Sequence, residues 1–199
     1  MSSVDFYYDY GSPASYIAYT QIEKLCEKYG VSVNFKPFVL GAVFKATGNS
    51  SPIVLPSKAR YTLMDFKRWA DYWGIPFHLN DKFPANTILH MKLATAVKLH
   101  HADQFAAFQQ AMFEAMWVNN ADITDAAVVS DICRSVDLNP DHLLMQTEQD
   151  DVRNALRANT DEAVALGAFG APTMIFNGEM FFGQDRLPML ELAMQRQAS

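Results

Sequence analysis

The spacing of apolar positions predicts a strand, a helix and a second strand at the start of the chain. Residues 4–8 (VDFYY) are rich in side chains that favour strands, and residues 31–38 begin with a clear alternation of apolar and polar positions. Between them, residues 13–29 place apolar side chains on one helical face, and Gly30 follows as a stop signal. This order favours a parallel strand pair joined by a right-handed crossover.

A long helical block follows these elements. Residues 41–56 are rich in glycine and proline and predict an ordered loop with a short helix over residues 43–46. From about residue 57 to residue 167, apolar residues recur at spacings of three and four. The predicted helices cover residues 57–73, 85–100, 102–117, 125–135, 140–147 and 149–167.

The chain returns to strands near its end. Residues 173–176 and 179–182 are apolar runs that flank Asn177-Gly178, which is the strongest short signal for a hairpin. A last helix is predicted over residues 187–195. The order is therefore β-α-β, a helical block, and then α-β-β-α.

This element order predicts an α/β protein with a thioredoxin-like fold. A β-α-β half and a β-β-α half would share one sheet, with a large all-helical insertion between them. We predict a thioredoxin-like domain formed by residues 1–40 and 168–199, and a helical insertion domain formed by residues 41–167.

Composition narrows the class of protein. The chain has 199 residues, half of them hydrophobic, and a formal net charge of −6, which suits one substantial core. Its first residues lack the pattern of a signal peptide, and no apolar run approaches the length of a membrane span. An acidic balance without a Lys/Arg cluster argues against a nucleic-acid partner. We expect a cytoplasmic protein with neither a membrane nor a nucleic acid as partner.

The cysteines and histidines indicate no metal site. Cys26 and Cys133 are far apart, and each lies in a helical pattern, so we expect two buried thiols rather than a disulfide. The histidines show no ligand spacing; they are His78, His90, His100, His101 and His142.

The first candidate site is Ser12-Pro13-Ala14-Ser15, at the start of the first helix. Thioredoxin-like folds carry a CxxC redox motif there, and this chain has the same spacing with two hydroxyls, which excludes dithiol–disulfide exchange. Ser12 before Pro13 is an ordinary helix cap. A hydroxyl has acceptor lone pairs and one donor hydrogen, so Ser12 could cap the helix and also donate to a thiolate. Both interpretations stay open.

Two further segments could complete such a site. Pro172 opens a predicted strand, and thioredoxin-like folds place a cis-proline opposite the first helix at this point. Residues 182–185 join the last strand to the last helix, where backbone amides and Asp185 could receive the amino and carboxylate groups of a ligand. A simple helix cap is an equally good interpretation of Asp185.

Together these segments resemble the 2-hydroxychromene-2-carboxylate isomerases. These are glutathione-dependent enzymes of aromatic catabolism that belong with the kappa-class glutathione transferases in the thioredoxin superfamily. The resemblance covers nearly the whole chain, and its segments are DFYYDYGSPASYIA, FKATGN, YTLMDFKRWADYWGIP, FPANT, FGAPTMIF and EMFFGQDRLPMLELAM.

The resemblance implies a role for each matching position. Ser12 would contact the sulfur of glutathione, and Ala171 with Pro172 would bind its cysteinyl backbone. The γ-glutamyl end would lie against Phe182, Gly183, Gln184 and Asp185, and the substrate against Lys45 and Asn49, with Asn86 and Trp117 as weaker suggestions. Lys45 could hold a carboxylate of the substrate or could be a solvated loop lysine. For Tyr8, Phe83 and Trp117 we favour core packing over contact with a flat substrate.

The implied reaction interconverts 2-hydroxychromene-2-carboxylate and trans-o-hydroxybenzylidenepyruvate, with glutathione as cofactor and a small aromatic carboxylate as substrate. A thiolate adds to a conjugated carbon, the bond rotates, and the thiolate leaves. The relatives are commonly dimers, so a homodimer is expected. The alternatives are a kappa-class transferase or peroxidase, and a thioredoxin-like binding module without activity.

Overall fold

The centre of the protein is one mixed sheet of four strands. The structure is a computed structural model and describes residues 2–198. The strands are β1 (Ser3–Tyr8), β2 (Ser32–Pro37), β3 (Thr173–Phe176) and β4 (Glu179–Phe182), in the order β2-β1-β3-β4. β2 runs parallel to β1, whereas β3 is antiparallel to both β1 and β4. This is the shared sheet of two halves that the element order predicts.

Helices cover both faces of the sheet and fill the middle of the chain. The α-helices within residues 2–198 are α1 (Pro13–Glu27), α2 (Leu40–Thr47), α3 (Pro56–Trp73), α4 (Ile88–His100), α5 (Ala102–Trp117), α6 (Ala126–Ser135), α7 (Pro140–Gln146), α8 (Asp150–Ala165) and α9 (Leu187–Ala198). Short 3₁₀ helices lie at Pro52–Val54 and Gln184–Arg186.

Two segments differ from the sequence-based expectation. Residues 41–56 were expected to form a loop around a short helix, but α2 spans eight residues and ends at Gly48, whose φ of 70° lies in the left-handed region. The helix predicted from residue 85 begins only at Ile88. It starts later because residues 83–87 are irregular, with a bend at Pro84, and Thr87 donates its hydroxyl hydrogen to Asp9.

β1 is buried on both faces, as a central strand is. Phe6 and Tyr8 pack with Phe35 and Phe113 in a large core that continues into the helices between β2 and β3. Tyr7 points to the other face, into a smaller cluster with residues of α2 and α8. This packing fixes the C-terminal end of β1, where the segment with Ser12 begins. The division into residues 1–40 with 168–199 and residues 41–167 stays a prediction.

The two thiols lie where the sequence predicts. Cys26 and Cys133 are buried and free, and burial raises their pKa values to about 12 and about 11. Such thiols are unreactive at neutral pH. The described residues contain no cluster of three or more metal-binding side chains. Every helix within residues 2–198 is too short or too polar to cross a bilayer.

Candidate active site

A cavity of about 530 Å³ opens at the C-terminal end of β1. Ser12 at the start of α1 lies in its wall, together with Ala171 before β3 and residues 182–185 after β4. Residues of α2, of the first 3₁₀ helix and of α3 form the opposite wall. The fold therefore brings the three segments expected to bind glutathione to one place.

Ser12 uses its hydroxyl in two hydrogen bonds. Its Oγ accepts from the backbone N–H of Ser15 at 3.2 Å, which confirms the predicted helix cap. The same hydroxyl donates to the carbonyl oxygen of Ala171 at 3.0 Å. Ser12 is only 5% exposed, so its donor hydrogen lies at the edge of the cavity, next to the segment that precedes Pro172. A thiolate placed there would compete with Ala171 for that hydrogen.

The Ala171-Pro172 peptide bond is cis, as thioredoxin-like folds require at this point. The backbone of Ala171 lines the cavity beside Ser12. Pro172 is buried at the start of β3 and is not a lining residue; its carbonyl oxygen accepts from the N–H of Gly183 at 3.0 Å. Pro172 thus joins two cavity segments rather than offering a surface of its own.

The turn after β4 requires glycine at position 183. Gly183 has a φ of 97°, and a Cβ atom there would lie 2.5 Å from Oδ1 of Asp185. Phe182, Gln184 and Asp185 also line the cavity. Asp185 faces Arg186 at 3.4 Å and lies within the 3₁₀ turn rather than at its cap. This end of the cavity offers a carboxylate and first-turn amides to a zwitterionic ligand.

The opposite wall is mostly apolar. Phe44 of α2, Ile53, Phe66 of α3 and Phe83 are half-buried and line the cavity. Asn49 also lines it, and its Nδ2 donates to the carbonyl oxygen of Phe169 at 2.7 Å. That bond holds the end of α2 against the segment that carries Ala171. Flat, apolar groups fit this wall.

Four of the suggested residues lie elsewhere. Lys45 and Asn86 are exposed and do not line the cavity. Phe44 occupies the cavity side of α2, and the next residue is rotated about 100° away from it on a helix with 3.6 residues per turn. Asn86 accepts from the N–H of Ile88 at 3.1 Å, at the start of α4. Trp117 and Tyr8 are fully buried core residues.

Asp9 is a cavity residue that the sequence reasoning missed. It is 3% exposed, and its Oδ1 accepts from the hydroxyl of Thr87 at 2.5 Å and from the N–H of Gly11 at 2.9 Å. Its Oδ2 accepts from the N–H of Leu40 at 2.9 Å. Burial raises the pKa of Asp9, and the three hydrogen bonds oppose that change. A carboxylate in the otherwise aromatic run of residues 6–10, two positions before Gly11, was the available signal.

Asp9 connects three chain segments at the cavity. The N–H of Gly11 belongs to the turn before Ser12, that of Leu40 to the start of α2, and the hydroxyl of Thr87 to the start of α4. A Cβ atom on Gly11 would come within 3.2 Å of the Thr87 side chain, so the turn and the helix approach closely. The carboxylate therefore holds the floor of the site together.

Comparison with known proteins identifies the class to which this fold and site belong. A profile of the DSBA-like thioredoxin domain matches residues 3–195, and the chain belongs to that family. This match confirms the thioredoxin-like α/β fold.

Relatives narrow the group further. A 2-hydroxychromene-2-carboxylate isomerase of Pseudomonas putida is 35% identical over 203 residues, covering 97% of this chain and 94% of the relative. Glutathione S-transferase kappa 1 of Caenorhabditis elegans is 29% identical over 205 residues, covering 97% and 91%. A solved 2-hydroxychromene-2-carboxylate isomerase superimposes with a TM-score of 0.84 at 29% identity, covering 98% and 95%. The resemblance inferred from the sequence motifs is confirmed.

Proposed function

We propose that the protein binds glutathione in this cavity and uses it to isomerise a conjugated aromatic substrate. The observation that carries the proposal is the hydroxyl of Ser12, held within 3.0 Å of the Ala171 carbonyl oxygen at the N-terminus of α1. The names of the relatives support both parts of the proposal, because they include the isomerase and kappa-class glutathione transferases.

The residues present fit glutathione. The Ala171 backbone offers hydrogen-bonding groups to an extended cysteinyl residue, and the Asp185 carboxylate, which packs against Gly183, lines the cavity where the γ-glutamyl end would lie. Ser12 lies between these groups and the apolar wall. When bound, glutathione supplies a sulfur nucleophile that adds reversibly to a conjugated carbon, which lets a double bond rotate before it re-forms.

Ser12 and α1 would favour the ionised thiol. A thiol has a pKa of about 8.5, so little of it is ionised at neutral pH. Lowering that pKa by two units takes about 2.7 kcal/mol. A hydrogen bond to a charged group contributes roughly 1.5–3 kcal/mol, and a helix N-terminus adds about 0.3–1 kcal/mol. The two together contribute about 1.8–4 kcal/mol, a range that includes the required value without a basic side chain.

The reference reaction of this proposal is the interconversion of 2-hydroxychromene-2-carboxylate and trans-o-hydroxybenzylidenepyruvate. The flat substrate would lie against Phe44, Phe66 and Phe83, opposite Ser12. A homodimer, which rests on the resemblance, and a cytoplasmic location, which rests on the sequence pattern, belong to the same proposal. Conjugation of glutathione to an electrophile is the second candidate function, favoured by the relatives named kappa-class transferases.

The test measures thiolate formation and turnover in the same samples. We expect ultraviolet absorbance of a thiolate to appear when glutathione is added to the protein, and isomerisation to require glutathione. Ser12→Ala should raise the pKa of the bound thiol and abolish most of the rate. Ser15→Ala is the matched control: its Oγ is buried and has no hydrogen-bond partner among residues 2–198, so both readouts should persist.

Four outcomes would contradict the proposal. Equal rates with and without glutathione would mean that glutathione is not the cofactor. Unchanged thiolate absorbance in Ser12→Ala would mean that Ser12 does not stabilise the thiolate. Conjugation faster than isomerisation would favour the transferase. Calorimetry without any heat of glutathione binding would favour a binding module.

A further inference from the structure

We infer that the substrate side of the cavity selects uncharged aromatic electrophiles over carboxylates, with Asp65 as the specificity-determining residue. The inference rests on the proposed function and concerns only the second ligand. It predicts that this chain prefers a neutral conjugated ketone to the carboxylate-bearing substrate for which its isomerase relatives are named.

The charged side chains that line the cavity all carry negative charge, although Asp185 pairs with Arg186 and Asp65 with Arg68 outside the lining. Among the described residues, the charged side chains that line it are Asp9, Asp65 and Asp185, with no lysine, arginine or histidine. Lys45, the residue expected to hold a substrate carboxylate, is exposed outside the cavity. A substrate carboxylate entering the cavity would therefore meet negative charges.

Asp65 is part of the mostly apolar wall against which the substrate would lie. It lies on α3 one turn after Tyr61 and next to Phe66, and all three line the cavity. Its ion pair with Arg68 has a separation of 3.8 Å, and the Arg68 side chain is 56% exposed, so the carboxylate is only weakly neutralised. The charge of Asp65 thus remains available to repel an anion or to accept a hydroxyl hydrogen.

Asp9 occupies the first amide of a helix whose N-terminus could offset this charge. The N–H of Leu40, at the start of α2, donates to Asp9 and is therefore not free to bind a substrate carboxylate. The N-terminus of α1 faces the Ser12 side, which the proposed thiolate would occupy. Bound glutathione adds further negative charge. Charges between apolar walls are screened less than charges in water.

The first experiment measures binding without turnover. The probes are the saturated ketone 4-(2-hydroxyphenyl)butan-2-one and its carboxylate counterpart 4-(2-hydroxyphenyl)-2-oxobutanoate, both of which lack the conjugated carbon that undergoes thiol addition in the reaction. We expect calorimetry to give at least tenfold tighter binding of the neutral ketone at low ionic strength. Added salt should narrow that ratio, because the repulsion is electrostatic.

Two variants locate the effect. Asp65→Asn should strengthen binding of the carboxylate about three- to tenfold and leave that of the ketone within twofold. Asp71→Asn is the matched control on the same helix: it makes the same change in net charge, but Asp71 is exposed, pairs with Lys67 at 3.0 Å and does not line the cavity. That control should leave both affinities unchanged.

Turnover separates this inference from the proposed function. The substrates are o-hydroxybenzylideneacetone and o-hydroxybenzylidenepyruvate, assayed with glutathione. A preference for the ketone that falls in Asp65→Asn would support the inference. Equal or tighter binding of the carboxylate, or an equal response of the two variants, would overturn it and leave glutathione-dependent isomerisation intact. Binding of the ketone without glutathione-dependent turnover of either substrate would instead contradict the proposed function.

Discussion

Replacing Asp9 with asparagine tests whether its buried carboxylate stabilises the floor of the cavity. The substitution keeps the shape of the side chain but leaves one acceptor oxygen instead of two. That oxygen can still accept from Gly11 and Thr87, whereas the new amide group faces the N–H of Leu40, which now lacks an acceptor. A buried donor without a partner costs about 1–3 kcal/mol. We expect unfolding free energy to fall by that amount at neutral pH.

The pH dependence of this loss has a definite sign. Burial holds the pKa of Asp9 above its usual value of 3.8, so the folded protein binds more protons than the unfolded chain between these two values. Stability contributed by Asp9 is therefore greatest at low pH and declines as pH rises through the folded pKa. The asparagine variant lacks this titration. The advantage of the wild type over the variant should be larger near pH 4, close to the usual value, than near pH 8.

Urea unfolding at both pH values, followed by circular dichroism, measures this difference. For a chain of this size, each kcal/mol shifts Tm by about 2–4 °C, which thermal melts would detect. His90 is the neighbouring titratable group, and burial lowers its pKa, which favours its neutral form. A wild-type advantage that grows with pH would refute the reasoning, because it would mean that the fold favours the ionised carboxylate.

Two further substitutions and one thiol reagent test the cavity and the core that surrounds it. Gly170→Ala should weaken glutathione binding severalfold in calorimetry, because its Cβ would lie 2.6 Å from the ring of Phe182; unchanged affinity would mean that this ring does not contact the ligand. Trp117→Phe should lower unfolding free energy by about 1–3 kcal/mol, since the Tyr10 carbonyl oxygen loses the indole N–H that donates to it at 2.8 Å. A thiol reagent should leave Cys26 and Cys133 unmodified in the native protein and label both in urea; rapid native labelling would contradict their burial.

The fold was largely predictable because its signals are local. The alternation over β2, the Asn-Gly turn between β3 and β4 and the starts of the helices predicted over residues 125–135 and 140–147 appear in the structure where the sequence places them, to within one residue. The helix predicted from residue 85 begins at Ile88 because Thr87 bonds to Asp9, 78 positions away. A hydrogen bond of such long range leaves no trace in local periodicity.

The candidate site was predictable only in part. Ser12, Ala171 and residues 182–185 lie in segments whose chain positions are set by the fold, so motif and topology together place them at the cavity. Lys45 was misplaced because a one-residue step on α2 decides which side chain faces inward, and Phe44 takes that place. Asp9 and Asp65 were missed because a carboxylate shows its surroundings only after the chain has folded.

The contact between the Ser12 hydroxyl and the Ala171 carbonyl has a consequence for which thiols the site can activate. That hydrogen is occupied until another donor, such as the cysteinyl N–H of a peptide, takes its place at the carbonyl. Recognition of the peptide and release of the hydroxyl are then a single exchange. A simple thiol such as 2-mercaptoethanol has no amide with which to make that exchange, so it should stay protonated in the same cavity.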